Sequence, residues 1–184
     1  MRSSALQREE NYNEYLRLLQ NDDYVDVTYD EQSGGVSAVH ILHKFDKQSG
    51  PFGLRRGDYE LMVTLVLRKN GHRILLEAEP SSGHKKCDGL LDDIPMEIKA
   101  IEGTGTWTIS TKLRDAEKQH AQCVVLFFPE ETIFSYFRIR EGIRLYESSP
   151  DSEQNSGLTR IILIVGDEMI ASLDKKDRNS YSGW

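Results

Sequence analysis

The stretch Lys86-Cys87-Asp88-Gly89-Leu90-Leu91, then Asp92-Asp93-Ile94-Pro95, then Met96-Glu97-Ile98-Lys99-Ala100-Ile101, decides how the chain is read. Two apolar-rich runs separated by turn-forming residues predict paired strands over 86–91 and 96–101, with 92–95 as the turn. A third strand over Arg73–Glu79, joined through Ser81-Ser82-Gly83, completes an antiparallel meander. A strand repeats every two residues, so Glu97 and Lys99 share one face while Met96, Ile98 and Ala100 take the other. Pairing the two strands brings Asp88, which opens the first, towards Glu97. Two carboxylates suit a hard divalent cation, Mg²⁺ or Mn²⁺. Lys99 beside them could orient or deprotonate an attacking water, or steady charge on a phosphate.

Working outward, Asp58 reads as an N-cap, Tyr59–Asn70 as a helix that is apolar on nearly all sides, and Gly71 as the residue that ends it. Glu60 is then an acid near the start of a buried helix. Such an acid is paired, ligating or capping, and compensation of the helix dipole is the simplest account. Downstream, Gly103-Thr104-Gly105-Thr106 is a loop, and Ser110 caps a helix to about Gln122 with Leu113, Ala116, His120 and Ala121 inward. Cys123–Phe128 is a wholly apolar strand stopped by Pro129. A helix between Ile101 and Val124 makes a crossover, so the fold class is α/β (α+β): a mixed central sheet flanked by helices, in the order helix-strand-strand-strand-helix-strand.

The flanks add a helix over Gln7–Gln20 with Tyr12, Tyr15, Leu16 and Leu19 on one stripe, and a hairpin of Tyr24–Asp30 with Val36–Leu42 over Gly34-Gly35. Residues 50–57 read as a mobile loop. The tail adds a helix over Thr132–Arg140, strands over Leu158–Val165 and Met169–Leu173, and a flexible polar stretch from Tyr146 to Gly157. The expected organisation is an extension over 1–35 and a single domain over 36–184, its core at about 57–130.

The 184 residues carry 30 acidic and 23 basic side chains, a net charge of −7, which excludes a general nucleic-acid coat but not a local grip on a phosphate backbone. Basic residues that would surround the site are Arg68, Lys69 and Arg73, then Lys85 and Lys86, then Lys112, Arg114 and Lys118. Cys87 and Cys123 are too few for a disulfide scaffold and read as core thiols. His40 and His43 read as ordinary strand-end residues, although either could approach the cleft as a phosphate binder or general acid. His72 and His84 fall in turns. Trp107 reads as a rim aromatic beside a flexible lip, and Glu77 and Glu79 are weaker acidic candidates. The charged first ten residues and the lack of a long apolar run predict a cytoplasmic protein.

The spacing Asp88-x(8)-Glu97-x-Lys99 on these strands, between these helices, resembles the PD-(D/E)xK nuclease superfamily, with Cys87 where a proline usually precedes the Asp. Through that resemblance Glu60 matches the helical acid that many members add to the metal site, and Gln119 their frequent helical glutamine. Gly57-Asp58-Tyr59-Glu60, Gly71 to Leu76, Lys86 to Gly89, Pro95 to Lys99 and Ala116 to Gln119 are similar to a narrower group. That group is the C-terminal nuclease domains of contact-dependent growth-inhibition toxins and related phage-head fusion proteins, several of which cut transfer RNA. The likeness covers roughly residues 40 to 130. It implies Asp88, Glu97 and Glu60 on Mg²⁺ or Mn²⁺, with Lys99 and Gln119 catalytic, in an endonuclease that favours RNA over DNA. It further implies an inhibitor protein if the chain is a toxin; a mobile-element nuclease fits equally. From another class, a non-catalytic module that keeps the nuclease fold and binds nucleic acid or protein accounts for the acidic composition.

Overall fold

The computed structural model describes residues 4–78, 87–148, 157–177 and 180–182. The predicted turn Ser81-Ser82-Gly83, with Glu79, His84, Lys85, Lys86 and the stretch 149–156, lies outside them. The chain is a mixed α/β protein: one mixed sheet whose strands lie side by side in chain order, with helices on both faces. Among the described residues no helix is long and apolar enough to cross a membrane.

The first helix, α1 (Ala5–Leu18), is capped by the Ser4 hydroxyl, which accepts from the Gln7 amide at 3.1 Å. Its buried residues are Asn11 and Leu18, while Tyr12, Leu16 and Leu19 of the expected stripe are exposed. Asn11 decides the rotation: its side-chain amide donates to the carbonyls of Gly34 and Gly71, at 2.9 and 3.2 Å. A polar anchor of this kind is invisible to hydrophobic periodicity. The hairpin β1 (Tyr24–Tyr29) and β2 (Val36–His40) follows and joins the common sheet.

Between β2 and α2 the chain is closed by an isolated bridge from Ser49 to Arg55. Helix α2 (Arg56–Lys69) starts earlier than its apolar run suggests. Asp58 is its third residue rather than its N-cap, and its carboxylate accepts from the Arg55 amide at 3.0 Å. Tyr59, Val63, Val66 and Leu67 are buried; Leu61 and Leu65 face outward, so the helix is one-sided. At its end Gly71 takes φ +87°, a left-handed backbone that favours glycine.

The meander comprises β3 (Arg73–Leu76), β4 (Gly89–Leu91) and β5 (Ile94–Ala100), antiparallel throughout. The turn is tighter than expected. Asp92 and Asp93 both adopt positive φ, so two residues reverse the chain, and Ile94 and Pro95 already belong to β5. At the other end of β4, Asp88 precedes the strand instead of opening it, because its amide and carboxylate bond to Glu97 Oε2 and the Ile98 amide in place of ladder partners. Helix α3 runs Thr106–Lys118 with Gly105 at its N-cap; Ser110 is buried inside it and does not cap it, and His120 is exposed beyond its end with φ +62°. Strand β6 (Cys123–Phe128) is buried at every residue. The predicted helix at 132–140 is instead a 3₁₀ turn, Glu131–Ile133, followed by α4 (Tyr136–Glu147), which begins where the Ser135 hydroxyl can accept from the Arg138 amide. Tyr146 is thus buried in a helix and is no part of a flexible stretch. Strands β7 (Arg160–Val165), β8 (Glu168–Asp177) and β9 (Ser180–Ser182) finish the sheet.

Strands β2 and β3 are parallel across α2, as are β5 and β6 across α3, and β6 and β7 across α4. Helix α2 buries Val63 and Leu67 against Ile74, Leu76, Met96 and Phe127. On the opposite face α3 and α4 bury Leu113 and Ile143 against Val124, Leu126 and Leu163, while Leu18 of α1 meets Val36, Ala38 and Leu75. Strand β6 is apolar throughout because helices cover both of its faces.

Gly89 lets β4 lie close to β3, since a Cβ there would stand 2.1 Å from the Leu75 carbonyl oxygen. Gly89→Ala is expected to cost about 1–3 kcal/mol, as overpacking against backbone does, read as a lowered urea midpoint.

Candidate active site

Asp88 and Glu97 continue the pairing of β4 with β5 by one position beyond Gly89 and Met96, and therefore stand opposite each other on the face of Lys99. Side-chain hydrogen bonds hold them there. The Asp88 amide donates to Glu97 Oε2 at 3.1 Å, and the Ile98 amide donates to Asp88 Oδ2 at 2.7 Å. The Asp88 carbonyl accepts from the Glu77 amide at 3.0 Å, which fastens the same residue to the end of β3. Lys99 Nζ donates to Glu97 Oε1 at 2.5 Å.

Like charges directly opposite on a sheet are unfavourable, and burial sharpens the cost. Glu97 is only 3% exposed. Burial first, and then the Glu97 charge, push the Asp88 carboxyl up to about 7, against the pull of the Ile98 amide and Lys99. The lysine answers one of the two charges; the contacts of Asp88 among the described residues include no direct ion pair.

The carboxylates open on a cavity of about 760 Å³, walled by the start of α2, the ends of β3 and β5, and the side of α3. Glu60 lies in this wall, and His43, from the segment after β2, reaches it. His43 Nδ1 stands 2.8 Å from the Glu77 carbonyl and Nε2 2.8 Å from Glu60 Oε2. Both neighbours accept hydrogen bonds, so an imidazolium satisfies both. Burial alone would lower its pKa, but the Glu60 hydrogen bond, the Glu77 carbonyl and the charges of Glu60 and Asp88 together hold it above the ordinary histidine value. No periodicity marks His43 in the sequence, because its segment is irregular; its position next to the cleft was the sole signal.

Gln119 is the C-cap residue of α3 and lines the cavity, its side-chain amide donating to the Asp115 carbonyl. Its own carbonyl accepts from the Cys87 thiol at 3.1 Å. Burial, then the Glu97 and Asp88 charges, push that thiol up to about 11, so Cys87 stays protonated and packs. Glu77 lines the cavity and accepts from the Tyr24 hydroxyl at 2.7 Å.

The basic surround differs from the expected one. Of the expected residues that are described, only Lys112 lines the cavity, and Lys44, Lys47 and Arg56 join it. Arg68 and Lys69 sit at the far end of α2, where Arg68 donates to Ser37 Oγ. Arg73 pairs with Asp93, Arg114 donates to the Leu145 carbonyl, and Lys118 pairs with Asp115. Helices carry residues three and four apart on one side, so a basic cluster in sequence disperses around the molecule. His40 accepts from the Leu42 amide and His72 pairs with Asp92, both away from the carboxylates. Trp107 is exposed, and Gly103, Thr104 and Gly105 border a separate shallow cleft with Arg138.

The chain matches no family model, no curated protein and no solved structure.

Among the described residues no group of three or more His, Cys, Asp or Glu is arranged to hold a metal ion. The donor set nonetheless suits Mg²⁺ or Mn²⁺, which are commonly held by one or two carboxylates with water and substrate oxygens completing the shell. Asp88 and Glu97 supply two such carboxylates, buried, with Lys99 their one direct cationic partner among the described residues.

Because Asp88 holds its proton more tightly when folded, the folded state binds more protons than the unfolded one between about pH 4, the ordinary carboxylate value, and about 7. Its contribution to stability therefore falls as pH rises through that window. In EDTA, Asp88→Asn is expected to melt above the wild type at pH 8 and close to it at pH 4. Equal pH slopes for the two proteins would show that Asp88 ionises normally.

Proposed function

We propose that the chain is a metal-dependent nuclease that hydrolyses phosphodiester bonds. The observation that carries this reading is the buried Asp88–Glu97 pair, locked by backbone amides and met at Glu97 by Lys99, in the wall of a cavity that Lys44, Lys47, Arg56 and Lys112 also line. Such a site offers carboxylates to a divalent cation and lysines to a phosphate, within a lining that also holds Asp46 and Glu102, the latter paired with Arg56. The likeness of Asp88-x(8)-Glu97-x-Lys99 to PD-(D/E)xK nucleases supports the same reading and tilts the substrate towards RNA, transfer RNA included.

Asp88 and Glu97 would hold Mg²⁺ or Mn²⁺, which when bound supplies Lewis-acid polarisation of the phosphate and a more acidic water. Lys99 offers its ammonium on the same face as both carboxylates, where it can meet the charge that develops on the scissile phosphate. Glu60 and Gln119 face the same space, Glu60 as a further carboxylate and Gln119 as a neutral hydrogen-bonding group. Lys112, which lines the cavity, would bind backbone phosphate.

A second reading is a non-catalytic binding module of the same architecture. It draws on the absence of a three-residue metal cluster among the described residues and on the net charge of −7.

Incubation with transfer RNA, single-stranded DNA and duplex DNA, in Mg²⁺ or EDTA, separates the two. Cutting in Mg²⁺ is expected to fall by at least about a hundredfold in Lys99→Ala and Glu97→Ala, as when a group that stabilises transition-state charge is removed. Cutting that survives both changes, or no cutting of any substrate, would sink the assignment. Melts supply a second readout: Mg²⁺ at about 100 times its Kd adds ~2.7 kcal/mol to a folded state that alone binds it. Wild type should gain accordingly, and Asp88→Asn should not.

A further inference from the structure

Glu60, Asp88 and Glu97 place three carboxylates on one cavity, and among the described residues two of them have a direct basic side-chain partner: Lys99 for Glu97 and His43 for Glu60. His43 differs from the lysine in being anchored at both ends. Its Nδ1 donates to the Glu77 carbonyl, which fixes the ring and leaves Nε2–H aimed at Glu60. Phe45 packs edge-on against the ring with centroids 4.7 Å apart, and the side chain is only 4% exposed. Glu77 is also the residue whose amide binds the Asp88 carbonyl. His43 thus ties Glu60 of α2 to the backbone that carries Asp88, across a stretch of chain with no regular structure.

We propose that His43 is a positioning residue that holds the Glu60 carboxylate towards the Asp88–Glu97 pair and sets the affinity of that pair for a divalent cation. This rests on the metal-dependent reading given above. The reason is geometric. A glutamate has three side-chain torsions, and one hydrogen bond from an immobilised donor removes most of their freedom. Partners that orient the carboxylates of a cation site are commonly worth 10–100-fold in affinity. The anchored imidazole offers Glu60 one donor in one direction, so the carboxylate is oriented without being withdrawn from the cavity.

The groups that face His43 are Glu60 from α2, the Glu77 carbonyl from the end of β3, Phe45 from its own segment and, through space, Asp88 before β4. The effect should therefore run through Glu60 and not through Lys99.

The test is a double-mutant cycle read by calorimetric titration of the full chain with Mn²⁺, with a thermal melt in EDTA for each variant. His43→Ala is expected to weaken Mn²⁺ binding by about tenfold or more. His43→Gln, which keeps a donor, should recover part of that loss. In a Glu60→Gln background the His43→Ala change should add nothing further, because the group it acts through is gone. Additive losses would assign His43 a structural role and overturn the proposal, as would unchanged affinity in His43→Ala while Asp88→Asn abolishes binding. If the wild type binds no Mn²⁺, the cation reading itself falls and this inference falls with it. His43→Gln with an unchanged melt but altered affinity keeps the outcome separate from loss of folding.

Discussion

Two hydrogen bonds between neighbouring strands, from the Asp88 amide to Glu97 and from the Ile98 amide to Asp88, organise the rest of the cavity. They occupy the position where a backbone ladder would otherwise continue past Gly89 and Met96. Carboxylates take the place of carbonyls as acceptors, so the strand edge is satisfied while two acids are drawn into a buried site. A sheet stabilised for its own sake would place apolar residues there. Opposed carboxylates are an electrostatic cost whenever both are ionised, and Lys99 offsets it at Glu97.

The surrounding fold isolates that cost. Helix α2 buries its apolar side on one sheet face while its first turns bring Tyr59 and Glu60 to the cavity, and α3 covers the other face while Lys112 and Gln119, seven residues apart, look into the same space. Strand β6 contributes six buried apolar residues between them. The core therefore bears the stability, and the cavity at the ends of β3 and β5 is free to be polar. In a chain of net charge −7, the cavity lining mixes both signs, with Lys44, Lys47, Arg56, Lys99 and Lys112 set among Asp46, Glu60, Glu77, Asp88, Glu97 and Glu102.

Asp88, Glu97 and Lys99 were legible because strand alternation and a short turn are local properties. The pairing that joins them spans ten residues, and Asp92 and Asp93 supply the two left-handed positions that make the turn tight. The existence of α2 was legible from its apolar run, but its one-sided burial was not, since Leu61 and Leu65 face outward. The rotation of α1 was not, because Asn11 is held by two backbone carbonyls far along the chain, and polar anchoring leaves no periodic trace. The basic surround was misplaced for a related reason. Arg68, Arg73 and Arg114 are near the cleft in sequence yet find partners elsewhere, whereas Lys44 and Lys47 come from a segment without repeat and Arg56 from the first position of α2.

By itself the sequence determined the α/β class, the meander, the crossover after it and the facing of two acids and a lysine. Each follows from residue-by-residue periodicity and turn chemistry, which act over a few positions. Only the tertiary structure decided that His43 meets Glu60 across 17 residues, that Glu77 links both to Asp88, and which cations line the cavity. Those contacts join the ends of separate elements through irregular chain, and the packing of α2 against the sheet fixes where such ends meet.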